Sequence, residues 1–380
     1  MTDLEFVTHH RRVLHQHPEI SMQEFRTTDH IITFLEQMDI PFERPLETGA
    51  VAYLDGNSDR TIAYRADIDA LPIHEENDVP YRSTVDGAMH ACGHDGHTSA
   101  LMLFAKRCKA LADEGQLLHN VIFIFQPSEE TAAGADQLIN VWQPDMEIEA
   151  VFGVHMMPNE DEGKVILRDD AITASATEFR FYINGQSAHV AAKHEGVSSI
   201  ESLLHIATQL TQMQHFHLNG LNRNIIHIGN LNAGEAINTV ASQGYLEGTI
   251  RTYEMNDLDT IKSRMQTLAR TSSELFGSAV EVTFNEGYPP VMNAQALRQP
   301  VEAALAGSKV DVDVVENDKP YLFGEDFSFY SRLAPSYFVF FGSRNEEKGF
   351  TSSLHTATFD LDEAVLMNVA DYYEALMNEI

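Results

Sequence analysis

The sequence has little cysteine, little tryptophan and little positive charge, and it has no long apolar run. Two Cys in 380 residues cannot build a disulfide framework, so a reducing, cytoplasmic setting is expected. Lys and Arg total 25 against 57 Asp and Glu, a formal net charge of −32. Nucleic acid and anionic membrane surfaces would repel such a chain, so neither is expected as a partner. Apolar stretches such as 121–125 are far shorter than the roughly 18 residues of a membrane span. The opening Met1-Thr2-Asp3-Leu4-Glu5 lacks the basic-then-apolar pattern of a secretory leader. No G-x-S-x-G elbow is present, which argues against a Ser-His-Asp hydrolase.

What is present is an ordinary apolar content of 43%, enough for a large core in two domains or in one domain with an insertion. Apolar residues at helical spacing mark two early helices, and short apolar runs at 50–54, 61–64, 121–125 and 150–154 predict strands. Runs without alternation indicate strands covered on both faces, as in a largely parallel α/β sheet. Between the second and third runs lies an amphipathic helix, with Asp95 as its expected N-cap and Gly115 as its stop. The middle of the chain alternates instead, as in Phe179, Phe181 and Ile183 against Glu178, Arg180 and Tyr182. Its order is strand, helix, strand, strand, helix, strand, the split βαβ pattern of a ferredoxin-like domain. The expected fold is therefore α/β, a mixed, largely parallel sheet domain with an inserted ferredoxin-like α+β domain. Helices near 293–306 and 361–378 and a strand at 337–341 complete the chain.

The densest chemistry lies in Met89-His90-Ala91-Cys92-Gly93-His94-Asp95-Gly96-His97. A thiol, three imidazoles and a carboxylate just before a helix suit a divalent metal, although a capped helix start in a His-rich chain also accounts for them. Glu129-Glu130 follows the strand at 121–125. As functional residues they would divide labour, one holding metal and the other moving protons; as surface acids they would do neither. His155 follows 150–154, and Asp67 and Asp69 follow 61–64. Each could be a hydrogen-bonded loop residue, yet ligands of open α/β sheets bind beyond the carboxyl ends of the strands, where all of these stand. His355 lies in a polar loop after 337–341, and spacing alone does not bring it to the others.

Together these segments resemble the aminoacylase/carboxypeptidase family of dinuclear-metal peptidases and amidohydrolases, in the branch of hippurate hydrolases, auxin-conjugate hydrolases and N-acetyl-diaminopimelate deacetylases. The resemblance rests on residues 12–19, 65–72, 90–97, 126–130, 153–155, 324–327 and 354–355, in that order. It implies a catalytic domain of residues 1–172 and 290–380, and a lid of residues 173–289 that also pairs two copies into a homodimer. It further implies two divalent ions, Zn²⁺ or Mn²⁺, with Co²⁺ or Ni²⁺ also compatible. Cys92, His94, Glu130, His155 and His355 match the ligands, with Cys92 as the bridge, and Glu129 matches the general base. Asp67 and Asp69 match carboxylates that orient the ligands. In the lid, Gly185-Gln186-Ser187-Ala188-His189 matches a motif whose His donates to the reacting carbonyl. Asn238 and Arg251 match residues that hold the substrate's carbonyl and carboxylate. The lid motif departs from the family in carrying Ala192-Lys193-His194 where a Pro is usual. The implied reaction is amide hydrolysis of an N-acyl amino acid. A dipeptidase or carboxypeptidase, and a metal-dependent binding protein without catalysis, are the alternatives.

Overall fold

The computed structural model describes residues 1–307 and 312–380. The chain divides into two compact units. The first holds Met1–Ile172, Met292–Lys319 and Asp326–Ile380; the second holds Thr173–Val291 and Pro320–Glu325. Among the described residues no helix is long and apolar enough to cross a membrane.

The first unit is built on an eight-stranded mixed sheet. Its order is Phe42–Glu43, Ala50–Leu54, Asn120–Gln126, Thr61–Asp67, Ala150–Asp161, Ser336–Arg344, Lys164–Leu167 and Asp313–Glu316. The four central strands, Asn120–Gln126 to Ser336–Arg344, are mutually parallel. Antiparallel pairs join Ala50–Leu54 on one side and Lys164–Leu167 on the other. Every residue of Thr61–Asp67 and Asn120–Gln126 is buried, the pattern of strands covered on both faces. The long helix His94–Asp113 packs between Asp3–Gln16 and Val365–Glu379. Its Leu101, Phe104, Ala105 and Cys108 join Tyr64, Phe123 and Tyr373 in one apolar core.

Two local expectations change. The helix begins at His94 rather than after an Asp95 cap, and its N-cap is Gly93 at φ +90°. Asp95 instead turns its carboxylate to Arg11 and His15. The segment 293–306 contains a short 3₁₀ turn, Gln295–Leu297, before the helix Arg298–Leu305.

Strand register sets the functional edge. Asp67 pairs with Gln126, and Arg65 pairs with Gly153. Two residues on, Asp67 therefore stands level with His155. Asp67 and Gln126 thus end their strands, and His155 stands level with them inside Ala150–Asp161, which continues past the expected end at 154 because it pairs there with Ser336–Arg344.

The second unit has four antiparallel strands in the order Ala279–Glu286, Thr177–Asn184, Gln243–Thr252, Asn224–Ala233. The helices Ser199–His217 and Met255–Phe276 cover one face. Phe179, Phe181, Leu246 and Ile250 pack there against Leu203, Ile206, Ile261 and Met265. The register slips between Glu247 and Gly248, where a Cβ on Gly248 would lie 1.9 Å from the His227 carbonyl oxygen.

Candidate metal centre

Several loops at the functional edge of the first unit converge on Cys92. Its Sγ lies 3.3 Å from His155 Nε2 and 3.3 Å from His355 Nε2. Donor atoms of Cys92, His94 and His155 fall within 4.8 Å of one another, and so do those of Cys92, Glu130 and His355. Two metal-sized donor sets therefore share the Cys92 sulfur. Glu130 Oε1 is 3.2 Å from His355 Nε2 and 3.9 Å from His94 Nε2. Glu129 forms a further group with His94 and Glu130.

The backbone reaches this arrangement through left-handed turns. Gly93 takes φ +90° between Cys92 and His94, where a Cβ would meet Met156 and His97 only in ordinary contact at 3.4–3.5 Å, so the positive φ rather than lack of space calls for glycine. Ser128, immediately before Glu129, has φ +59°, and His355 itself has φ +60°. For residues with a side chain this conformation costs on the order of 1 kcal/mol or more, and such strain gathers at functional sites. Hydrogen bonds hold these turns. Ser128 N donates to Glu24 Oε1 at 2.9 Å, and His355 N donates to the Ala91 carbonyl at 2.8 Å.

Ring orientation prepares the imidazoles. His94 Nδ1 donates to the Asp69 carbonyl at 2.9 Å and lies 3.2 Å from Asp69 Oδ1. Its Nε2, buried, has no hydrogen-bond partner among the described residues. His155 Nδ1 donates to the Met156 carbonyl at 2.8 Å, which turns its Nε2 lone pair toward Cys92. Fixing one nitrogen so that the other can ligate is the usual arrangement behind metal-binding histidines. Asp69 also accepts from Ser21 Oγ and from Glu130 N, so one carboxylate steadies two of the donors.

The electrostatics fit a divalent cation. Burial, then the charges of Glu130, Glu129 and Asp67, push the Cys92 thiol well above its ordinary range. Burial draws His94 down, but Asp67, Asp69 and Glu130 outweigh it and lift the group to about 10. Without a cation, then, the pocket favours a proton on Cys92 and on His94, while burial first and the nearby His97 second hold His155 well below its ordinary range. Arg65 does not supply the missing charge, because it is committed to Asp67 and Asp326. Thiolate, imidazole and carboxylate donors in this setting suit two divalent ions sharing Cys92.

Residues 63–379 match the profile of peptidase family M20/M25/M40. The chain belongs to this family. It is 60% identical to an uncharacterized hydrolase of Staphylococcus haemolyticus, over 99% of this chain and 98% of that one. It superposes on the Bacillus subtilis YXEP protein, described as a dinuclear metal binding peptidase from the M20 family, with a TM-score of 0.84. That match has 31% identity and covers 99% of this chain and 97% of the other. A tripeptidase from Staphylococcus aureus shares the fold at 16% identity and a TM-score of 0.72, covering 98% and 97% of the two chains. With the donor sets above, family M20 membership makes this chain a metal-dependent hydrolase or peptidase of small acyl or peptide substrates.

The structure thus gathers Cys92, His94, Glu129, Glu130, His155, His355, Asp67 and Asp69 in the first unit. His189, Asn238 and Arg251 lie in the second. There the backbone of His189 pairs with Thr239, and Val190 N donates to the Asn238 carbonyl at 3.0 Å. His189 and Asn238 are exposed, whereas Arg251 is partly buried, and that burial lowers its pKa. Four further residues went unassigned in the sequence: His97, Arg65, Gln126 and Asp326. All four lie in segments of the resemblance, at 90–97, 65–72, 126–130 and 324–327, but their partners become visible only in the fold.

A buried ion network braces the start of the metal-bearing helix. Asp95 Oδ2 accepts from Arg11 Nε and from His15 Nδ1, both at 2.8 Å. Burial lowers His15, but hydrogen bonds to Asp95 and Glu75 prevail and raise it to about 8. A folded-state value above the usual 6.5 means the folded protein holds this proton more tightly. That stabilisation is complete below about pH 6.5 and is lost as pH rises through 8, an effect of about 2 kcal/mol. Urea unfolding at pH 6 and pH 9 should show this loss in the native chain and not in His15→Gln. Equal pH dependence in both would refute it.

Proposed function

We propose that this protein is an amidohydrolase that cleaves N-acyl amino acids, such as N-acetyl amino acids, to a carboxylate and a free amine. The observation that carries the reading is the pairing of Glu129 with Glu130 beside two donor sets that share Cys92. Binding alone would not require a second buried carboxylate next to a ligand. In this reading the ligands are Cys92, His94, Glu130, His155 and His355, steadied by Asp67 and Asp69. The bound ions, Zn²⁺ or Mn²⁺ in first place, supply Lewis-acid polarisation and acidify water. Glu129 takes the proton of the attacking water and passes it to the departing amine. His189 donates to the oxyanion as it develops, Asn238 holds the carbonyl, and Arg251 pairs with the substrate carboxylate through its planar fork.

The first unit is the catalytic domain and the second its lid. The strand order of the lid, with the last strand beside the first and the third between first and second, supports a ferredoxin-like topology. We place the protein in the hippurate hydrolase, auxin-conjugate hydrolase and N-acetyl-diaminopimelate deacetylase branch, as a cytoplasmic homodimer paired through the lid. A dipeptidase is the second reading, favoured by the peptidase description of the Bacillus subtilis relative. The deciding experiment assays the metal-reconstituted protein on N-acetyl amino acids and dipeptides side by side, with Zn²⁺, Mn²⁺, Co²⁺ and Ni²⁺. Turnover of acetylated amino acids at ten times the dipeptide kcat/KM or more is expected. The reverse preference would select the dipeptidase, and no turnover of either would leave a binding protein.

A further inference from the structure

One imidazole stands among the metal donors with both nitrogens already engaged. His97 Nδ1 donates to Asp67 Oδ1 at 2.7 Å, and His97 Nε2 accepts the Met156 N–H at 2.9 Å. A ring so used is neutral and has no lone pair left for an ion. Its closeness to Asp67 and His94 therefore does not make it a ligand. We propose that His97 is a positioning residue, the last link of a buried chain that runs from Asp326 through Arg65 and Asp67 to the Met156 peptide and sets His155 against the metal ions.

The chain is continuous at hydrogen-bond distance. One terminal nitrogen of Arg65 donates to Asp326 Oδ1 at 2.8 Å, and the other donates to Asp67 Oδ2 at 2.7 Å. Its Nε donates to Gln126 Oε1 at 2.8 Å. Asp326 Oδ2 is fixed in turn by Gln126 Nε2 and by Ala135 N, both at 2.9 Å. Arg65, Asp67, His97 and Asp326 are all at most 1% exposed, so water cannot substitute for a lost link. The far end is the informative one. The Met156 N–H is held by His97, while the Met156 carbonyl holds the His155 ring. Both polar groups of Met156 are thus used, one to anchor the strand and one to aim the proposed ligand. Loss of His97 removes this side-chain anchor and leaves Met156 held only by its strand pairing with Phe341.

This inference rests on the metal-site reading but not on any substrate, so its test reads metal binding. The protein is freed of metal and titrated with Co²⁺, following the visible absorption of the bound ion. His97→Leu should weaken at least one Co²⁺ by about 10–100-fold and shift its spectrum. His97→Gln offers one donor and one acceptor, and it should recover at least tenfold of that loss. An unchanged titration and spectrum in His97→Leu would overturn the proposal. So would equal damage in both variants, the result expected of a direct ligand. If His97→Leu does not fold, Asp326→Asn tests the other end of the chain. It should weaken Co²⁺ binding although Asp326 belongs to neither of the two donor sets that share Cys92, and unchanged affinity there would overturn the proposal. Co²⁺ binding that follows this pattern without N-acyl turnover would sink the functional reading and leave this one standing.

Discussion

Glu129→Gln is expected to lower kcat by roughly 10³-fold while two metal ions per chain are retained. The expectation follows from how two adjacent carboxylates are used. Glu129 and Glu130 open a one-turn helix, Glu129–Ala132, entered from the left-handed Ser128. Glu130 donates its backbone N–H to Asp69 at 3.0 Å and turns its carboxylate to His355. Glu129 is buried, and its Oε1 accepts the Asp326 N–H at 3.3 Å. It groups with His94 and Glu130 but not with Cys92, the atom both donor sets share. In the proposed reading, a carboxylate outside the two donor sets that share the Cys92 sulfur moves protons rather than holding an ion. Gln preserves its size and one acceptor but cannot take a proton. Metal content by elemental analysis and steady-state kinetics check both halves of the expectation. Activity within tenfold of the native enzyme would remove Glu129 as the base, and loss of an ion would make it a ligand.

The sequence displayed the pieces of the site more clearly than their meeting. Runs such as Val121 to Phe125 declared covered strands because a strand buried on both faces is filled mostly by apolar residues. The alternation around Phe179 declared a one-sided sheet for the complementary reason. The strand Lys164–Leu167 and the edge strand beside it, Asp313–Glu316, were not legible: each is four residues long and flanked by charge. Asp95 read as a cap because Asp before an apolar helix usually is one. Only the fold brings Arg11 and His15 close enough to claim it. The Asp326–Arg65 contact spans 261 residues of chain, and no local pattern reports a pairing that strand order and register create. His355 shows the same limit, since a loop remote in sequence delivers its Nε2 to Cys92.

Cys92→Ala should reduce bound metal from two ions per chain to one or none and remove turnover along with it. The sulfur is the atom common to both donor sets, so its loss opens each of them, whereas loss of His155 or His355 opens only one. The electrostatics sharpen the expectation. Burial and the charges of Glu130, Glu129 and Asp67 disfavour the thiolate, so a cation must stabilise it, and the thiolate must in turn stabilise the cation. Deleting the sulfur leaves the Glu130 carboxylate as the hard oxygen donor beside the imidazoles of the proposed ligand set. Residual binding should then turn away from Zn²⁺ toward Mn²⁺, because soft sulfur favours the former and carboxylate oxygen suits the latter. Cys108 provides the control. It is buried in the apolar core and belongs to none of the donor groups among the described residues. Cys108→Ala should cost roughly 1 kcal/mol of stability for the lost packing and leave both metals in place. Elemental analysis of the two variants after loading with equimolar Zn²⁺ and Mn²⁺ makes the comparison. Two ions per chain in Cys92→Ala would refute the shared sulfur, and metal loss in Cys108→Ala would show that general destabilisation, not ligation, empties the site.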